Sequence, residues 1–182
     1  MKDDVELHTS RLILRPVRLE DVEPWSAMLV DPETMQFLGG PRSSYLIWLE
    51  LRSLGGGWYL DGFSRFSVLE KESGRWVGWV GPLSPQGWPG PEVGWGIIRD
   101  RWGLGYATEA ASASINWAFD HLGWTEVSHF IGSDNFRSQA VAQRLGSYKR
   151  GTSVVPSLGT ESSVEIWGQS REQWKLSRSH SG

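Results

Sequence analysis

The sequence predicts one α/β domain in which strands and helices alternate around a mixed sheet. Segments of strand-like alternation are interleaved with segments that repeat apolar residues at helical spacing. At 182 residues the chain can bury one substantial core, and two domains would be unusual at this length. The glycine- and proline-rich stretch 81–91 is short enough to be a loop within that domain.

The N-terminal part is predicted to form one strand and two short helices. Residues 11–15 alternate charged and apolar side chains, which is typical of a strand, and Pro16 stops it. Asp21 is predicted to cap a helix that runs to Leu29. Asp31-Pro32 is predicted to begin a second helix, with proline at the tolerated first helical position.

A longer helix and a β-hairpin are predicted next. Residues 45–54 have helical character, and the three glycines at 55–57 are expected to end that helix. The apolar runs 66–69 and 76–80 are typical of two strands joined by the turn residues 71–74.

The segment Arg101-Trp102-Gly103-Leu104-Gly105-Tyr106-Ala107-Thr108-Glu109-Ala110 is the most informative part of the chain. It follows a predicted strand at 92–98, and its two glycines lead directly into an alanine-rich helical pattern. Glycine allows a phosphate to approach the backbone, and the free amides and dipole at the helix N-terminus bind anions.

Two common nucleotide loops fit this segment poorly. No Gly-Lys-Ser/Thr follows it, which excludes a P-loop. The dinucleotide fingerprint fails because Thr108 replaces its third glycine, and Glu126 begins the next strand instead of ending it. A plain turn with a helix cap stays open on this segment alone.

The C-terminal half continues the alternation of helices and strands. After the loop, apolar residues recur at helical spacing and Gly123 ends the helix; they are Ala111, Ile115, Ala118, Phe119 and Leu122. The predicted elements that follow are a strand at 127–131, a short helix at 137–145, and strands at 148–155 and 163–167. Residues 175–182 are small and polar and are expected to fray.

Several ordered motifs together resemble the GCN5-related N-acetyltransferase (GNAT) superfamily, specifically its RimJ/RimL-like branch. They are Thr9-Ser10-Arg11-Leu12-Ile13-Leu14-Arg15-Pro16 with Leu19-Glu20-Asp21, Asp31-Pro32-Glu33-Thr34-Met35-Gln36-Phe37-Leu38-Gly39-Gly40, Trp102 to Ala110, Ser133-Asp134-Asn135-Phe136-Arg137-Ser138 and Val141-Ala142-Gln143-Arg144-Leu145-Gly146. The resemblance implies an acetyltransferase domain at 7–175, flexible termini at 1–6 and 176–182, and a central mixed sheet split into a V and flanked by helices.

The resemblance also implies the activity and its cosubstrate. We expect transfer of an acetyl group from acetyl-CoA to a primary amine, on a peptide or protein N-terminus or a small molecule, without a covalent enzyme intermediate and without a metal. A non-catalytic domain that binds acyl-CoA stays open as the alternative, and another nucleotide-binding α/β protein is a weaker one.

By the same resemblance, the cofactor would be bound by two groups of residues. The first group comprises Ile97, Ile98, Trp102, Gly103, Leu104, Gly105, Tyr106, Ala107 and Thr108. In the second, Asn135 would contact the pantetheine and Ser138 would lie near the thioester sulfur, although both could instead cap the following helix. Trp102 stands where the broader superfamily has Gln or Arg. Arg99 and Arg101 could contribute charge to phosphate binding or could be solvated.

An amine is protonated at neutral pH, so acetyl transfer needs a base that removes a proton before the amine attacks. It can also use an acid for the departing thiolate. Glu92 is the predicted base, because it lies near where related histone acetyltransferases carry their catalytic glutamate. His129 on the neighbouring strand is the alternative. Ser138 is the predicted acid, since Ala142 replaces the tyrosine that many acetyltransferases carry in that helix. Glu109, in the first turn after the loop, is predicted to be structural.

Composition restricts the partners. The net charge of −3 and pI near 5.8 argue against a nucleic-acid or anionic-membrane surface. The absence of cysteine excludes disulfides, thiolate metal sites and a cysteine nucleophile. No apolar run has the length of a signal core or a membrane span. We therefore expect a cytoplasmic protein. The resemblance implies an amine as its partner, and we expect a monomer or homodimer.

Overall fold

The computed structural model describes residues 5–157 and 160–179, and it confirms a mixed sheet flanked by helices. The strands are β1 (Leu7–His8), β2 (Leu12–Pro16), β3 (Phe66–Glu70), β4 (Trp76–Leu83), β5 (Glu92–Ile97), β6 (Glu126–Ile131), β7 (Tyr148–Ser157) and β8 (Thr160–Ser170). The helices are α1 (Val22–Val30), α2 (Pro32–Met35), α3 (Ser44–Leu60), α4 (Tyr106–His121), α5 (Phe136–Arg144) and α6 (Arg171–Ser179). The strand order is β1-β2-β3-β4-β5-β6-β8-β7.

The sheet divides between β5 and β6. All other neighbouring strands are antiparallel over two or more residue pairs, whereas β5 and β6 are parallel and share the single pair Glu92↔Ser128. Beyond that pair the two strands separate, which opens the sheet toward their C-terminal ends. This opening is the predicted V.

Two hydrophobic clusters pack on the two faces of the sheet. Successive β4 residues belong to different clusters: Val77 and Val80 face α4, and Trp76 and Trp79 face α1 and α3. The apolar residues predicted for α4 are buried, apart from the half-buried Leu122. The predicted end of α4 is also confirmed, because Gly123 adopts a φ of +69°.

The predicted end of α3 at residues 55–57 is wrong. The helix continues to Leu60 and bridges the two clusters, with Leu54 in one and Trp58 in the other. Gly57 is packed closely, since a Cβ there would lie 3.2 Å from the Ser64 side chain. Burial of Trp58 against Phe66, at a ring separation of 5.0 Å, stabilises a helix that local propensity disfavours.

Asp21 is the N-cap residue of α1, as predicted, but the capping role expected of its side chain is wrong. Its side chain makes no capping hydrogen bond to α1. Instead the buried carboxylate accepts two hydrogen bonds from Arg15, at 2.7 and 2.9 Å, and one from Ser67 at 2.7 Å. A buried charge needs such partners, and here they tie β2 and β3 to the start of α1. Asp31, by contrast, does cap α2 through the Thr34 amide, at 3.0 Å.

Two predicted boundaries change as well. Residues 81–83, expected in a loop, extend β4 and pair with β5. Residues 175–179, expected to fray, form the end of α6, which Trp174 anchors by packing against Phe119. Of the flexible termini predicted at 1–6 and 176–182, residues 1–4 and 180–182 lie outside the described residues. None of the helices described here is both long and apolar enough to cross a membrane.

Candidate active site

The predicted phosphate loop has the geometry of an anion site at a helix N-terminus. Gly103 and Gly105 have φ values of +80° and +83°, in the left-handed region that favours glycine. Gly105 is the N-cap of α4, and the Glu109 amide makes the first helical hydrogen bond to its carbonyl. The amides of Tyr106, Ala107 and Thr108 precede that bond, so they have no acceptor within the helix.

Glu109 anchors the N-terminal hairpin to this loop. Its carboxylate accepts hydrogen bonds from the Thr9 hydroxyl at 2.6 Å, the Ser10 hydroxyl at 2.9 Å and the Arg11 amide at 2.9 Å. The Arg11 guanidinium adds an ion pair of 2.6 Å and also donates to the Leu104 carbonyl, at 2.9 Å. These contacts lower the pKa of Glu109 against the effect of its burial, and they support the predicted structural role.

Two aromatic residues bound the loop, and both are fixed by hydrogen bonds. The Trp102 indole donates to the Ile97 carbonyl at 2.6 Å, and the Tyr106 hydroxyl donates to Glu70 at 2.6 Å. The loop between them exposes Gly103, Leu104 and Gly105 to solvent. It is therefore held rigidly at both ends while its backbone stays accessible.

Ile97 and Ile98, the two isoleucines predicted to bind cofactor, have backbone groups that point toward opposite sides of β5. The Ile98 amide donates to Val77 of β4 at 2.9 Å, so it is already used within the sheet. Backbone groups alternate in direction along a strand, which turns those of Trp95 and Ile97 toward β6, where the sheet is open. The Ile97 carbonyl already accepts from the Trp102 indole, so the geometry fits the amide of Ile97 to a ligand in the opening better than the amide of Ile98.

The second predicted group lies at the start of α5. The Asn135 side chain accepts from the Ser138 amide at 3.2 Å and therefore caps the helix, as the alternative interpretation required. Capping uses only the amide oxygen, so the Asn135 NH₂ group keeps its donors for a ligand. Ala142 is fully buried beside Ile131 and Trp167, where the larger ring of a tyrosine would have to displace its neighbours.

Glu92 lies where β5 and β6 are still paired, and it is only 8% exposed. Its Oε2 accepts a hydrogen bond from the Trp88 indole at 3.1 Å, and the backbone amide of Phe130 also donates to the carboxylate. Burial raises the pKa of Glu92 above its ordinary value of 4.5, while the charge of Arg65 and these hydrogen bonds oppose the rise. A raised pKa suits a carboxylate that accepts a proton near neutral pH.

His129 has both ring nitrogens engaged. Nδ1 lies 2.7 Å from the Val93 carbonyl, which can only accept, so Nδ1 carries the proton. Nε2 then accepts from the Ser147 hydroxyl at 3.0 Å. Burial lowers the pKa of His129 to about 4, against a smaller opposing effect of the Val93 hydrogen bond. This geometry favours a structural role at the base of the sheet opening.

A sheet that opens beside a glycine loop at a helix N-terminus is an arrangement that suits an acyltransferase. Residues 11–147 match the model of the acetyltransferase (GNAT) domain, and the chain belongs to this family.

Two relatives and one solved structure extend the match beyond that segment. The chain is 27% identical over 148 residues to the uncharacterized N-acetyltransferase p20 of Bacillus licheniformis, covering 80% of this chain and 83% of that protein. It is 27% identical over 189 residues to the FsC-acetyl coenzyme A-N(2)-transacetylase of Aspergillus fumigatus, covering 96% of this chain and 80% of that protein. A crystal structure of an acetyltransferase from Agrobacterium tumefaciens, 25% identical, superposes with a TM-score of 0.80 over 92% of this chain and 95% of the other.

Three residues around the site were not predicted from the sequence as functional. Arg11 belongs to a motif that was recognised, but its contact with the loop joins residues 93 positions apart in the chain. Trp88 acts on Glu92 from the loop before β5, and Arg65 acts on it from the segment before β3. No sequence pattern indicated a site in either segment. Only the fold places these side chains beside the predicted base.

Proposed function

We propose that this acyltransferase moves an acetyl group from acetyl-CoA directly to a primary amine, in the manner of the RimJ/RimL-like branch. The observation that carries the proposal is the phosphate loop, whose exposed glycines and first-turn amides lie beside the opening of the sheet. Acetyl-CoA supplies an acetyl group activated as a thioester. The naming of acetyl coenzyme A in one relative supports this donor.

In the proposed reaction Glu92 is the base. The amine nitrogen forms a bond to the thioester carbonyl carbon, the carbon–sulfur bond breaks, and the amine gives up a proton. Glu92 takes that proton directly or through a water molecule, because its carboxylate is held in place by Trp88 and the Phe130 amide. Burial raises the pKa of this base above its ordinary value of 4.5.

Ser138 is proposed to stabilise the departing thiolate by a hydrogen bond, or to donate a proton that its hydroxyl regains from water in the same step. It lies in the first turn of α5, where the positive end of the helix dipole also favours a developing negative charge. Asn135 is proposed to hold the pantetheine arm through its free NH₂ group.

Replacing Ser138 with alanine is expected to lower kcat more than it weakens acetyl-CoA binding. The hydroxyl would act mainly on charge that develops during transfer, and loss of one such donor costs up to about 10²- to 10³-fold in favourable cases. Steady-state kinetics and calorimetric titration on the same preparation measure the two effects. Unchanged turnover would reduce Ser138 to a helix-cap position.

CoA and acetyl-CoA are expected to raise the melting temperature of the protein. A ligand bound only by the folded state stabilises it by roughly 2.7 kcal/mol at a hundredfold excess over its Kd. NAD and ATP should have a much smaller effect, because the loop lacks both the P-loop and the dinucleotide signatures. Differential scanning fluorimetry makes this comparison, and equal stabilisation by all of these ligands would contradict the proposed cosubstrate.

The acceptor is proposed to be an amine on a peptide, a protein N-terminus or a small molecule. A screen for release of free thiol from acetyl-CoA across peptide amines, polyamines and aminoglycosides would identify the class. Release that depends on an added amine supports the proposal. Tight CoA binding with no amine-dependent release in any class would favour the non-catalytic alternative.

A further inference from the structure

Four arginines surround the phosphate loop, and they differ in how their charge is used. Arg11 pairs with Glu109 at 2.6 Å, Arg99 with Glu33 at 2.5 Å, and Arg101 with Glu70 at 3.2 Å. These three cations are therefore offset by carboxylates. The ion pairs formed within residues 5–157 and 160–179 do not include the fourth arginine, at position 137.

The guanidinium of Arg137 is held over the indole of Trp102. Its central carbon lies 4.4 Å from the ring centroid, which is a cation–π contact. The indole is itself fixed by its hydrogen bond to Ile97 and by packing against the core, so it forms a rigid platform. A guanidinium that stacks by its face keeps its in-plane N–H donors free at the edge, and these donors match a phosphate.

The two elements that meet here are both parts of the proposed cofactor site. Trp102 begins the glycine loop, and Arg137 lies in the first turn of α5, between the cap residue Asn135 and Ser138. The loop 102–106 contains no cationic side chain of its own. The stack therefore brings the one unpaired guanidinium of this cluster to the loop from another element.

We propose that Arg137 binds a phosphate group of the acyl donor and that Trp102 positions it, an inference that rests on the proposed function. Trp102 stands where the broader superfamily has Gln or Arg. Its indole would instead provide a surface that holds Arg137 of α5. The phosphate is either the pyrophosphate or the 3′-phosphate of CoA, which share the same chemistry.

The test is calorimetric titration of Arg137→Gln with CoA, 3′-dephospho-CoA and pantetheine. A charge-assisted hydrogen bond contributes about 1.5–3 kcal/mol, so we expect CoA to bind about 10- to 100-fold more weakly. Pantetheine carries no phosphate and should bind the variant and the wild type equally. Arg137→Lys keeps the charge and should retain part of the affinity.

A matched control is available on α3. Arg52 is also an exposed arginine stacked on a tryptophan, 5.4 Å from the ring of Trp48, but it lies outside the loop cluster. Arg52→Gln should leave the affinity for CoA unchanged. A double variant of Arg137→Gln with Trp102→Leu should lose less than the sum of the single losses, because the indole acts partly through the arginine.

The outcomes are distinct. If Arg137→Gln weakens CoA and 3′-dephospho-CoA equally, the partner is the pyrophosphate; if only CoA is weakened, it is the 3′-phosphate. Wild-type affinity for CoA in folded Arg137→Gln would overturn the inference, as would an equal loss for pantetheine. Failure of the wild-type protein itself to bind CoA would instead contradict the proposed function, and this role of Arg137 with it.

Discussion

Replacing Glu92 with glutamine is expected to lower kcat/KM about 10²- to 10⁴-fold at neutral pH, the range that a positioned general base contributes. Glutamine keeps the size of the side chain and an acceptor for the Trp88 indole, but it cannot take up the proton. Affinity for acetyl-CoA should change little. Kinetics with an amine from the acceptor screen, combined with calorimetric titration, measure both quantities.

The role of Glu92 as a base also predicts how kcat/KM depends on pH. The base acts only when deprotonated, so wild-type kcat/KM should rise with pH through an ionisation above 4.5, the ordinary pKa of glutamate. Glu92→Gln should lose that dependence and recover partly at high pH, where more of the amine is uncharged. Full activity of Glu92→Gln with a loss in His129→Gln would move the base to β6. If neither substitution lowers kcat/KM, neither residue is the base, and the amine is deprotonated by water and by its own desolvation in the site.

A stability measurement checks that the Glu92 variant is folded. Because the folded state raises this pKa, it holds the proton more tightly than the unfolded state does. The stability from this preference is complete below pH 4.5 and is lost as the pH rises through the raised pKa. At neutral pH the glutamine variant is therefore expected to be at least as stable as the wild type.

Replacing Gly105 with valine is expected to weaken CoA binding by more than about 100-fold. In the proposed complex a phosphate meets the backbone at this residue, and loss of two charge-assisted hydrogen bonds corresponds to about 3–6 kcal/mol. The φ of +83° also strains any β-branched residue, so the variant will be less stable than the wild type. Calorimetry below the melting temperature of the variant separates the two effects.

Gly123→Val is the matched control for that strain. Gly123 follows the other end of α4 with a φ of +69°, and a Cβ there would contact nothing within 4 Å. It should therefore carry a comparable backbone cost without obstructing the loop. Near-normal CoA affinity in folded Gly105→Val, or an equal loss in Gly123→Val, would show that the loop is only a turn.

The sequence correctly predicts the elements that have a short-range signal of their own. The loop, the helix that follows it and the β3–β4 hairpin each have a short-range signal in turn residues or in apolar spacing. It failed at Gly55-Gly56-Gly57, because burial of Trp58 outweighs the low helix propensity of glycine. It also failed at Asp21, because the buried partner Arg15 competes for a carboxylate that local rules assign to a cap.

In the candidate site, too, the features with a local sequence signal could be predicted, and those that depend on tertiary packing could not. Glu92 and the two loop glycines could be named from motif position, since each lies at a strand or helix end whose place in the chain is regular. The environment that raises the pKa of Glu92 could not be predicted, because Arg65, Trp88 and Phe130 converge on it from separate elements. The stack of Arg137 on Trp102 likewise depends on how α5 packs beside the loop.

The anchoring of residues 9–11 by Glu109 also affects how the protein folds. These contacts join residues 98 to 100 positions apart, so they close one of the long loops of the chain. Contacts of such sequence separation form slowly, because much chain entropy is lost before they are made. The Leu104 carbonyl gains its Arg11 partner only in that step. We therefore expect the loop to reach its final geometry only after the first strands and the fourth helix have met.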